Sequence, residues 1–333
     1  MGSYIVRRLL LVPLVLWGTA TLLFFLSYGG PGDTARKIAG PTYASRPLPP
    51  QLREEIEEKY DLNEPLVGRY VNYLGKLATG DLGVSNQNGE QVSDIAGRTL
   101  AASLRLGFWA LLIEVCIGIG AGVLSAMRKY SFTDGVITML TIGAGAIPVF
   151  VFGYLMIEAF AIFPARHGWP HLPTNGIGPD TWALFVIPTG SQWEYLVMPA
   201  ITLALVSTAI VARITRSSML EASKLDFIRT ARAKGIRERQ VTLHHGLRNA
   251  LIPVVTLIGI DAGVLLGSAI LTETVFNWPG MGSEIAVAVK NQDVPVVAGL
   301  SMIVVIAYVI INLAVDVSYA KLDPRVRLGS DSQ

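Results

Sequence analysis

"ALIPVVTLIGIDAGVLLGSAIL", residues 250–271, is an apolar run whose only ionisable side chain is Asp261. At a rise of about 1.5 Å per residue such a run, as a helix, crosses a hydrocarbon core of about 30 Å. Immediately before it lies "RTARAKGIRERQVTLHHGLRN", residues 229–249, with six Lys/Arg and one Glu. Before that the chain is apolar again, "VMPAITLALVSTAIVA" at 197–212. A compact basic segment is thus enclosed by two membrane-spanning stretches, and both its side of the membrane and its purpose need explaining.

The same apolar texture recurs along the chain. Of 333 residues, 51% are hydrophobic and 16% charged, against about 25% charged in soluble domains. Six stretches are long enough to span: 8–28, 100–126, 136–163, 194–214, 250–272 and 295–318. Pro148 and Pro199 interrupt two of them, as membrane helices tolerate. The expected fold is therefore an all-α integral membrane protein of six transmembrane helices. The first apolar stretch is longer than a signal-peptide core and no A-x-A-like site follows it, so it reads as a retained span. Residues 30–98 are too polar for lipid and hold one helix-like run, "PQLREEIEEKYDL". A second polar loop, 164–193, is rich in Pro, Gly and Trp.

Lys/Arg bias orients the spans. Arg7 and Arg8 precede the first, Arg128 and Lys129 follow the second, nine Lys/Arg lie between 213 and 248, and Lys321, Arg325 and Arg327 close the chain. The alternate loops carry few positives, Arg166 and Lys290 among them. Both termini and the 229–249 stretch are expected in the cytoplasm, and 30–98, 164–193 and the "ETVFNWPGMGSE" loop outside. A multi-pass protein of the cell membrane, with the lipid bilayer as its surroundings and no nucleic-acid partner, is the expectation.

The basic loop carries helix punctuation. Asp226 is placed to cap a helix beginning at Phe227, Ala, Arg and Lys favour helix through Lys234, and Gly235 suits a left-handed terminating residue. A second helix is expected to resume near Glu238 and run into the fifth span. Phe227, Ile228, Ala231 and Ile236 form a small apolar set among the cations. The charges serve topology alone, bind anionic headgroups, or rim a short helix that docks into a groove on a cytoplasmic partner.

Here the stretch resembles the cytoplasmic loop of ABC-transporter permeases, whose pattern is Glu-Ala-Ala, three residues, then Gly. This chain has Arg229-Thr230-Ala231, three residues, then Gly235. It departs from the general pattern at the Glu and at the downstream Ile-x-Leu-Pro, where His245-Gly246-Leu247-Arg248 stands. Both departures resemble the dipeptide/oligopeptide/nickel branch. So do "PGD" at 31–33, "YDLNEPLVGRYVNYLGKLATGDLG" at 60–83, "ETVFNWPGMG" at 273–282 and "DPRVR" at 323–327. The set in this order is specific, and the chain resembles the B-type membrane subunit of a peptide importer.

The resemblance implies a type I importer permease with a first span at 1–29, an extracytoplasmic segment at 30–98, a five-span core at 99–320 containing a coupling loop at 215–249, and a cytoplasmic tail at 321–333. It implies that Asp226, Phe227, Ile228, Arg229, Thr230, Ala231, Lys234, Gly235 and Ile236 couple the spans to an ATPase. The implied partners are a second homologous permease, two ATPase subunits and an extracytoplasmic solute-binding protein. ATP and Mg would be bound by the ATPases, and this chain would bind no cofactor. A nickel or other small-solute importer, and an ATP-independent secondary transporter, are the alternative readings.

Missing motifs agree with a non-catalytic chain. G-x-x-x-x-G-K-[ST] is absent, and "LGKLATG" at 74–80 has no Ser/Thr after Lys76. His167 and His171 are separated by Pro170, and His244 and His245 are adjacent, so no metal site is expected. No G-x-S-x-G or H-E-x-x-H motif occurs. The single cysteine, Cys116, reads as a small hydrophobe.

Within the fifth span, Gly259, Gly263 and Gly267 form a stripe that permits close helix packing. Asp261, Ser268 and Thr272 fall on another face, ~160° away. An ionisable residue inside a span is costly and marks function by default. Asp261 either lines the translocation path, where it would attract a peptide's amino group, or pairs internally. Glu114 and Glu158 are also intramembrane. Gly118 and Gly122 form a second small-residue stripe. The loop at 273–293 is a connector or a segment near the mouth of the path.

Overall fold

The structure is a computed structural model that describes residues 2–28, 33–39, 43, 46–60, 62–179, 182–183 and 185–322. The "DPRVR" motif, most of "PGD" and nearly all of the expected cytoplasmic tail lie outside the described residues. The described residues are mostly helical. In chain order the helices are α1 (Gly2–Tyr28), α2 (Thr34–Ile38), α3 (Pro50–Lys59), α4 (Leu66–Ala78), α5 (Val92–Met127), α6 (Phe132–Ala146), α7 (Val149–Arg166), α8 (Gln192–Ala222), α9 (Asp226–Ala233), α10 (Glu238–Val275), α11 (Met281–Lys290) and α12 (Val294–Leu322). One antiparallel hairpin, β1 (Trp182–Ala183) with β2 (Ile187–Pro188), sits in the polar loop between α7 and α8.

Five helical stretches are long and apolar enough to cross a membrane: Val92–Met127, Val149–Arg166, Gln192–Ala222, Glu238–Val275 and Val294–Val315. Shorter apolar stretches occupy Leu10–Leu26 and Phe132–Ala146. The expected span at 136–163, interrupted by Pro148, is not one helix but two. It breaks at Ile147, whose backbone is extended (φ −89°, ψ 124°), and α7 restarts after Pro148. The ring of Pro148 disfavours helical geometry in the preceding residue, which is the physical reason for the break.

The chain divides into two compact units, residues 1–103 with 279–333, and residues 104–278. In the first, α1 packs along α12 and α4. Phe24, 2% exposed, meets the rings of Tyr70 and Tyr73 at 5.2 and 5.5 Å, and the Thr21 and Tyr70 hydroxyls are 2.6 Å apart. Sequence reading missed α4, whose Pro65 and tyrosine-rich text hide a helix that packs on α1. Val92, Ile95, Ala96, Met281, Ala288, Val296 and Leu300 form the unit's main core. Asp293 ties the polar segment to it, accepting from Ser85 Oγ at 2.5 Å and from the Asn86 N–H at 3.2 Å. Burial, then the nearby Asp293 charge, pushes the Tyr60 hydroxyl up to about 12, and its hydrogen bond to Asn86 partly offsets this.

In the second unit α8 is the central helix, packed against α5, α6, α7 and α10. Its contact with α5 depends on glycine. A Cβ at Gly118 would lie 2.8 Å from Val211 Cγ1, and one at Gly122 would lie 2.5 Å from Thr215 Cβ. Phe276 and Trp278, at 1% and 0% exposure, fill the unit rather than line a surface. Asn277 turns the chain there with φ 45°, and the Trp278 N–H donates to Glu273 O at 2.8 Å.

Candidate functional site

Helix α9 is short but strongly partitioned. Ile228 and Ala231, one turn apart on one face, are 1% and 7% exposed and pack with Val241, while Ile236 closes the cluster. Phe227, Arg229, Thr230, Arg232 and Lys234 are exposed. The helix terminates as Gly235 promised. Gly235 has φ +75°, its N–H donates to Arg232 O at 2.9 Å, and the Ile236 N–H reaches back to Ala231 O at 3.3 Å. Together these bonds form a Schellman closure, completed by the contact of Ile236 with the helix. Across the turn Arg232 holds both oxygens of Glu238, with Nη2–Oε1 at 2.6 Å and Nε–Oε2 at 3.0 Å. From Glu238 the chain is helical through Val275, with one wide π turn at Val241–Gly246.

Two details correct the sequence reading. Asp226 is the first helical residue rather than the cap. Leu225 stands at the cap with extended backbone (φ −72°, ψ 149°) and no side-chain bond, and the Asp226 carboxylate instead faces Arg229 at 3.5 Å in the first turn, where the helix dipole favours it. The four apolar residues also do not form one exposed set. Ile228, Ala231 and Ile236 fold back onto Val241, and Phe227, 40% exposed, is the large apolar side chain of α9 facing outward.

The polar groups of α10 share a helical face but not an environment. Asp261 is half-buried, and its Oδ2 is buried without a hydrogen-bond donor among the described residues. Ser268 is exposed and donates to Leu265 O at 3.2 Å. Thr272 is wholly buried. An open polar face through all three, as expected from spacing, is therefore not present. Gly259 and Gly263 are buried, whereas a Cβ at Gly267 would meet nothing within 4 Å.

Two arrangements escaped sequence reading. At one end of α8, Arg216 donates from Nε to Asp134 Oδ1 and from Nη2 to Oδ2, both at 2.8 Å. Ser125 on α5 donates to the same carboxylate, so one buried anion joins α5, α6 and α8. A signal existed: Ser131-x-x-Asp134 has capping-box spacing, and Ser131 Oγ does accept from the Asp134 N–H at 3.3 Å. The second arrangement lies deeper, where Glu114 on α5 faces Asp261 on α10. Glu114 begins a π turn, Glu114–Gly118, and Glu158 begins another, Glu158–Ile162. Such turns often mark functional positions in helices.

Residues 118–328 match the family of binding-protein-dependent transport system inner membrane components. The dipeptide transport system permease protein DppB of Alkalihalophilus pseudofirmus is 37% identical over 342 residues, covering 98% of this chain and all of that protein. A probable peptide ABC transporter permease of Sinorhizobium fredii is 36% identical over 98% of this chain and all of that protein. The glutathione transport system permease protein GsiC of Escherichia coli K12 is 34% identical, over 98% and 99% of the two chains. In fold, the chain is similar to a solved chain of the MetNI methionine ABC transporter in an inward-facing conformation, with a TM-score of 0.52 at 17% identity, over 69% of this chain and 96% of that one. The chain belongs to the family of binding-protein-dependent transport inner membrane components, as a non-catalytic, multi-pass permease subunit.

Proposed function

We propose that this chain is one of two permease subunits of an ATP-driven peptide importer and that α9 is its coupling helix. The observation that carries the reading is the construction of α9: its inner face is buried on Val241, its end is locked at Gly235, and its outer face presents Phe227 among cations. A helix held on one side and bare on the other is suited to pass motion from a partner's groove into the fifth span, because α10 begins three residues after Gly235. The names of the relatives, dipeptide, peptide and glutathione permeases, support a peptide as cargo.

In this proposal the chain crosses the membrane six times with both ends in the cytoplasm. A second homologous permease completes the path, two ATPase subunits bind ATP and Mg, and an extracytoplasmic binding protein delivers the peptide. Ser268, exposed beside the open side of Gly267, is the polar group of the fifth span best placed for the path. The test is reconstitution of the chain with its neighbouring gene products in vesicles. Peptide uptake that needs ATP, both permeases and the binding protein is expected. ATP-independent flux through this chain alone would overturn the proposal.

A further inference from the structure

Glu114 is 0% exposed, and neither of its carboxylate oxygens has a hydrogen-bond donor among the described residues. Oδ2 of Asp261 is in the same condition. The two side chains are within hydrogen-bonding reach of each other. Both belong to the unit formed by residues 104–278. Two facing carboxylates deep in a membrane protein, if both are ionised, repel strongly and lose their hydration together.

Among the described residues, the elements packed nearby offer no countercharge. From Leu196 to Ala212, α8 has no ionisable side chain. On α7, Tyr154 and Glu158 are exposed, and Glu158 lies 3.8 Å from Arg166. On α6, Asp134 is engaged by Arg216. On α5 itself Cys116 is exposed, and Arg105, about two and a half turns from Glu114, donates to Phe185 O at 2.9 Å and lies over the Trp182 ring. On α10 the nearest ionisable groups along the chain are Arg248 and Glu273, more than three turns away in either direction.

We propose that Glu114 and Asp261 form an intramembrane proton site, in which one carboxylic acid O–H donates to the other residue's carboxylate and clasps the second span to the fifth. One proton removes one of the two charges and supplies the missing donor. The clasp closes on α5 at the first residue of a π turn, where the helix is locally widened and can change register. A proton held there fastens the contact between α5 and α10, and its loss loosens that contact.

The proposal rests on the geometry of these two residues and not on the peptide-importer reading, so the two fail separately. The test is infrared spectroscopy of the complete importer in lipid at neutral pH, with ¹³C-carboxyl Glu or Asp confined to this chain. A carboxylic-acid C=O band that shifts with either label is expected, as is its loss in both Glu114→Gln and Asp261→Asn. In each variant the amide donates to the remaining carboxylate, so assembly is retained. Absence of an acid band from the wild-type complex overturns the proposal, and sodium bound in its place would identify a metal cation as the occupant. A band that survives unchanged in one single variant also overturns it, because the proton would then belong to one residue alone. If a variant fails to assemble, the wild-type labels decide: a band that responds to neither label contradicts the site.

Discussion

Arg216 and Arg232 each fork two hydrogen bonds onto a carboxylate, yet the two bridges do different work. Asp134, the partner of Arg216, has a side chain only 6% exposed, whereas Glu238, the partner of Arg232, is 64% exposed. The first bridge joins three apolar helices through an anion that also accepts from Ser125 and from the Tyr130 N–H. The second joins two short segments across a glycine turn in water. Burial sets the consequence of breaking each: the inner bridge defines how helices meet, and the outer one trims a geometry already fixed by Gly235 and the Ile228–Val241 contact.

The largest expected effect comes from removing one inner partner. Asp134→Leu leaves the Arg216 guanidinium without its carboxylate, and loss of about 3 kcal/mol of apparent stability is predicted for the detergent-solubilised complex. A loss below about 1 kcal/mol would erase the distinction between the bridges. Next is Ile228→Ala, which opens a cavity under α9 at a local cost of about 2–4 kcal/mol. The expected outcome is ATPase activity no longer stimulated by substrate, with membrane insertion intact. Gly235→Val forces a β-branched residue to positive φ at roughly 1–2 kcal/mol and should weaken ATPase retention in a pull-down. Unchanged retention and transport would sink the placement of the turn. The smallest mutational effect should be Glu238→Gln, under about 1 kcal/mol and reduced further by salt, read as near-normal transport.

A pH effect provides a control on the other unit. The Tyr60 hydroxyl is raised to about 12 by burial and then by the charge of Asp293, against about 10 in an unfolded chain. Its neutral form therefore supports folding fully below about pH 10, and that support is lost as pH rises toward about 12. Alkaline unfolding of the polar segment around Tyr60 should shift upward in Tyr60→Phe, with no change near neutrality.

Much of this was legible in the sequence where the cause is local. Apolar length announced the helices, and a glycine at the end of a short Ala/Arg/Lys run announced the Schellman closure, because both depend on neighbouring residues. Spacing also exposed Gly118 and Gly122, which do meet α8. What spacing hides is environment. Asp261, Ser268 and Thr272 share a face, but neighbouring helices bury one wholly, one in part, and one not at all. Long-range pairings were invisible for the same reason. Asp134 and Arg216 are 82 residues apart, and nothing near Glu114 in the chain names Asp261 as its neighbour. Pro148 was readable as an interruption that a single span tolerates, but not as a full break, since a proline's effect on the preceding residue depends on whether the surrounding helices hold it straight.

The central claim is that α9 presents its Phe227 side, and not its Ile228 side, to an ATPase. The most direct measurement places single cysteines at these positions in a Cys116→Ser background and scores cross-links in the assembled importer with a short bifunctional reagent. Phe227→Cys and Thr230→Cys are predicted to join the ATPase subunit, with a yield that changes when ATP is added, while Ile228→Cys gives no such product. Equal cross-linking from Ile228→Cys, or none from Phe227→Cys, would contradict the account.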